Sequence, residues 1–140
     1  MSESESHWGS LRSTLLGWNL EDNVWGIQEV WEVPSGMLKM RFALGDGRSQ
    51  EVFLLATDEH EDWVAIDSIF GAAASVDTNQ IIPIIDGRTG IAIAAMGGAL
   101  VTRRMLPLQD LSTANLLISI KVVALVADEL ESKVSGGDRF

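Results

Sequence analysis

Two histidines, several isolated acids and a short run of arginines are the residues whose chemistry is worth weighing first. His60 lies in Asp58-Glu59-His60-Glu61-Asp62, where an imidazole among hard carboxylates could ligate a divalent cation. The run lacks the glycine hinge and regular alternation of a calcium loop, so it also reads as a solvated tip between strands. His7 falls in a polar N-terminal stretch that offers no scaffold for a general base. The chain has no cysteine and no tyrosine, which removes thiolate and phenol chemistry. It has no Gly-x-Ser-x-Gly elbow, and Gly97-Gly98 lacks the Lys and Ser or Thr of a P-loop. Glu29, Asp67 and Asp128 stand in otherwise apolar segments, where acids are more often wet-face residues than buried acid–base pairs. Arg103 and Arg104 would point to opposite faces of a strand, so with Arg88 they read as partners for nearby acids. These residues predict no catalytic, cofactor-binding or metal-binding set.

The five tryptophans point elsewhere. Tryptophan is common at binding hot spots, and Trp25, Ile27 and Trp31 share strand parity. They are candidate partner-binding residues on an apolar groove. The alternative is core, where aromatic stripes in strands usually face.

The elements that would position these side chains follow from periodicity and turn chemistry. Leu11, Leu15 and Trp18 recur at helical spacing after a plausible cap at Ser10. Val24–Val33, Leu38–Leu44, Gln50–Thr57 and Trp63–Phe70 read as strands, joined by Pro34-Ser35-Gly36, Gly45-Asp46-Gly47 and the acidic loop. Asp77 or Thr78 could cap a short helix that Pro83 would kink or end. Ile91–Ala95 and Leu100–Met105 form a hairpin about Gly97-Gly98. From about Ser112 to Val134 no Gly or Pro interrupts a long helix. The predicted class is α+β: an antiparallel sheet, meander plus hairpin, packed by an N-terminal helix and a long C-terminal helix. Residues 1–9 are expected to be a disordered acidic tail, 10–135 a single domain and 136–140 a short tail.

At 140 residues and 46% hydrophobic content, one sizeable core is affordable without crosslinks. The formal charge of −10 disfavours nucleic acid and anionic lipid as partners. The first residues carry no cationic n-region or apolar h-region, and the run Ala114–Ala127 is too short for a bilayer. A cytoplasmic protein is expected. One face of the last helix carries Leu116, Ile120, Val123, Ala127 and Leu130, and a second carries Ile118, Val122 and Leu125. A helix apolar on two faces must be covered on two faces. That predicts a homodimer with Ile118, Val122 and Leu125 at the interface.

The order of elements resembles the YbjN-like group, whose fold is akin to that of type III secretion chaperones. The likeness is carried by Gly45-Asp46-Gly47-Arg48, Trp63-Val64-Ala65-Ile66-Asp67-Ser68, Thr102-Arg103-Arg104-Met105-Leu106-Pro107-Leu108 and Val126-Ala127-Asp128-Glu129-Leu130-Glu131. The resemblance implies a dimeric α+β domain that binds segments of other proteins on its sheet or helix surfaces, with no catalytic residues. The leading expectation is therefore a non-catalytic protein- or peptide-binding module, chaperone-like or regulatory. The alternatives are a purely structural homo-oligomer, or a metal protein or enzyme using loop 58–62.

Overall fold

The architecture comes from a computed structural model, which describes residues 3–18, 26–34, 36–56, 63–88 and 90–134. Helix α1 (Glu3–Gly17) is followed by strands β1 (Ile27–Glu32), β2 (Leu38–Gly45), β3 (Arg48–Ala56) and β4 (Trp63–Ala72). Helix α2 (Thr78–Ile85), the hairpin β5 (Ala92–Met96) and β6 (Ala99–Pro107), and helix α3 (Thr113–Val134) complete the order. The six strands form one antiparallel sheet in the order β1-β2-β3-β4-β6-β5. The α+β class expected from the sequence is the class observed.

Local chemistry explains most boundaries. The β2–β3 turn uses Asp46 and Gly47 at φ 53° and 75°, the positive values that Asp-Gly tolerates. Asp77 caps α2 by accepting a hydrogen bond from the Asn79 amide at 3.0 Å. Pro83 lies inside that helix, which still continues to Ile85 and closes with a bond from the Asp86 amide to the Ile82 carbonyl. Ser112 caps α3, its hydroxyl accepting from the Asn115 amide at 3.1 Å.

All three helices lie over one face of the sheet. The larger apolar cluster joins Leu15 of α1 and Leu116, Ile120, Val123 and Ala124 of α3 to Val30, Leu38, Met40, Phe42, Val52, Leu54, Val64 and Ile66. The smaller one joins Phe70 to Ile81 of α2 and Val126, Ala127 and Leu130 of α3. Thr102 is fully buried beneath α3 and donates to the Val123 carbonyl at 2.9 Å, so its hydroxyl is satisfied. Gly71 is required by packing: a Cβ there would meet Val76 Cγ2 at 2.7 Å. Gly71→Ala should cost about 1–3 kcal/mol, read as an earlier midpoint in urea unfolding.

Two expectations are corrected here. Helix α1 begins at Glu3, so residues 3–9, set aside as tail, form its first turns, and His7 is a half-buried helical residue. Its Nδ1 has no hydrogen-bond partner. Strand β1 carries a bulge between Ile27 and Glu29, which shifts the side-chain parity by one. Ile27 and Val30 therefore face the core, while Trp31 turns to the other side.

Candidate protein-binding surfaces

Among the described residues no helix lies over the sheet's second face. Strand register sets Trp31, Lys39, Phe53, Asp67 and Arg103 side by side across five strands on this face. The Lys39 ammonium sits 5.3 Å from the Trp31 ring centre and 5.6 Å from that of Phe53, and 2.8 Å from Glu51 Oε2. Arg41 approaches the same Trp31 ring at 5.8 Å and Glu29 at 3.6 Å. Cation–π contacts of this kind hold an aromatic ring in place while leaving it partly open. Further along, Asp67 is buried and accepts from Arg103 Nε and Nη2 at 2.8 Å each, a two-pronged ion pair. Those hydrogen bonds raise the Arg103 pKa above its ordinary value, against the opposing effect of burial.

Next to this charged row is an apolar corner. Leu55, Ala65 and Met105 are cross-strand neighbours, with Trp63 two residues from Ala65 along β4. Leu55 is 41% and Trp63 40% exposed, high values for side chains of this size.

The outer side of the helical layer is the second open surface. Ile118 and Leu125 stand two turns apart on α3 and are 55% and 42% exposed, and Ile82 of α2 is 59% exposed. Thr113, Ala114, Leu117, Ile118 and Lys121 line a shallow depression on the first half of α3. The outer side of the terminal helix is thus neither wholly polar nor covered.

The sequence-derived candidates divide accordingly. Ile118 and Leu125 lie on the free stripe, whereas Val122 is half-buried against the smaller core cluster. Trp31 lies on the bare sheet face, but Ile27 is only 6% exposed and belongs to the larger core. Trp25 and the loop 58–62 with His60 lie outside the described residues. Phe53, Leu55, Trp63 and Met105 were missed as surface residues. The available signal was the continuously apolar run in β3, since a strand greasy on both faces needs cover on both.

No protein-family model matches the chain, and no curated protein matches it at a significant level. Three chains of solved structures do match. One belongs to the HopA1–SchA chaperone–effector complex, with a TM-score of 0.54 over 96% of this chain and 99% of that one, at 8% identity. At that identity the likeness is one of fold alone, shared with a chain of that complex. Among the described residues no helix is long and apolar enough to cross a membrane.

Proposed function

We propose that this chain is a non-catalytic protein-binding module, chaperone-like or regulatory, that works as a homodimer in the cytoplasm. The observation that carries the reading is the pair of uncovered apolar surfaces, one on each side of a fully built core. Contiguous apolar side chains left open on a folded domain mark sites of association. In this reading the α3 stripe at Ile118 and Leu125, extended by Ile82, meets a second copy. The bare sheet face, from Trp31 to the corner of Leu55 and Trp63, takes a segment of another protein. The fold likeness to a chain of a chaperone–effector complex supports a protein as that partner, and the YbjN-like pattern of turns and apolar positions agrees with it.

The sheet face is tested by comparing co-purified partners of the wild type with those of Trp31→Ala and of Leu55→Glu with Trp63→Glu. Leu55 and Trp63 are exposed, and such positions tolerate changes within about 0.5 kcal/mol. Trp31 is half-buried, and its loss should cost about 1 kcal/mol more through the two cation–π contacts. All the variants should therefore stay folded by circular dichroism. The expected result is loss of partners that the wild type retains. Identical partner sets would assign these side chains to the fold alone.

A further inference from the structure

Six of the nine described lysines and arginines already have a carboxylate. Arg12, Lys39, Arg41, Arg48, Arg88 and Arg103 pair with Glu32, Glu51, Glu29, Asp128, Glu129 and Asp67. Among the described residues Lys121, Lys133 and Arg104 have no such partner, and the two lysines are exposed on α3. Arg104 differs from them in being half-buried. It leaves β6 opposite Ile66, and its guanidinium lies against Gly90, where an added Cβ would be 3.7 Å from Cζ, Nε and Nη2. Gly90 has φ 76°, a conformation that suits glycine. The guanidinium thus rests on bare backbone in a groove whose other walls are Ile91, Ala92, Arg103, Met105 and Leu106.

A guanidinium carries five donors in a planar fork that matches a carboxylate. Partial burial limits how well water can replace that partner. Arg104 points to the helix side of the sheet, while neighbouring Met105 points to the bare face, and β5 does not pair with β6 beyond Arg103. We propose that this groove is a carboxylate-recognition subsite at the open β6 edge, occupied by an Asp or Glu side chain of a partner segment that passes from the bare face over Met105 and round that edge, with apolar residues beside it against Ile91 and Leu106. The argument is charge complementarity: an unpaired, backbone-supported fork in a protein whose other buried or half-buried cations are matched. This inference rests on the protein-binding reading and names one chemical feature of the partner.

The test is selection of a displayed library of random twelve-residue peptides on the full chain, on Arg104→Gln and on Arg104→Lys. The wild type is expected to enrich peptides with Asp or Glu at one fixed position among apolar residues. A synthetic copy of a selected peptide should bind the wild type roughly ten- to a hundredfold more tightly than its amide counterpart, the usual worth of a charge-assisted pair. Arg104→Gln should bind both alike. Arg104→Lys keeps the charge but not the fork, so it should fall between, and it serves as the folded control if the glutamine variant is unstable. Selected peptides without an acidic position would overturn the subsite while leaving the binding-module reading intact. Displacement of the selected peptide by acetate or inorganic phosphate at equal concentration would also overturn it, in favour of a small-anion site. Failure to enrich any peptide would count against both.

Discussion

Phe70→Ala should lower the free energy of unfolding by about 3–5 kcal/mol, the usual cost of emptying a buried phenylalanine site. Phe70 is completely buried and is the largest side chain of the smaller cluster, where it meets Ile81, Val126, Ala127 and Leu130. That cluster holds α2 and the second half of α3 to the sheet. Set against a typical total of about 5–15 kcal/mol, the loss is large. Urea unfolding should show a much earlier midpoint with an unchanged slope. Gln80→Ala, next to Ile81 on the same helix and exposed, should move the midpoint little. A Phe70→Ala loss below about 1 kcal/mol, within the ordinary range of harmless changes, would mean that α2 does not dock as described.

The second large effect concerns the ion pair within the open face. Arg103→Met should destabilise by about 2–4 kcal/mol, because breaking a buried pair leaves Asp67 without its counter-charge. The figure sits at the lower end of that range since the Arg103 side chain is 31% exposed and partly solvated, while that of Asp67 is only 7% exposed. Asp67→Leu together with Arg103→Met should recover much of the loss, since an apolar pair of similar bulk needs no solvation. A loss in the double variant equal to the sum of the two single-variant losses, measured by urea unfolding, would show that the two charges contribute independently. Both side chains also divide the aromatic row from the β5 hairpin, so their removal should broaden the apolar face and favour aggregation.

The fold was readable where a local rule acts on few residues. Asp46-Gly47, Asp77 and Ser112 each close or open an element through their own side chain or backbone preference. The Asp-Gly turn falls where the sequence places it, while the sequence left Asp77 open against Thr78, and Ser112 against Asp110, as caps. The alternation from Leu38 to Phe42 survives intact in β2. What escaped depends on partners distant in sequence. The bulge at Ile27/Glu29 is set by how β1 meets β2, and it reverses the face of Trp31 relative to Ile27. Strict period-two counting cannot see that inserted step. The start of α1 at Glu3 was obscured because its first turns are polar, and polar composition does not separate a solvated helix from a tail.

The candidate surfaces were half legible for a related reason. The excess of apolar residues on α3 shows from composition alone, and Ile118 and Leu125 are indeed open. Val122 was assigned to the same stripe, yet α2 and the sheet draw it inward against the smaller cluster. The aromatic corner at Trp63 and Leu55 depends on which face of the sheet the helices choose, a tertiary decision. Arg104 was expected to pair with an acid and does not, because its guanidinium is directed to Gly90 rather than toward an acidic side chain.

The direct measurement is the solution mass by light scattering after size exclusion at micromolar concentration, for the wild type and for Ile118→Glu with Leu125→Glu. Self-association through α3 predicts twice the 15.2 kDa of one chain for the wild type, and a single folded chain for the double variant. A wild-type protein that stays at 15.2 kDa throughout would contradict it.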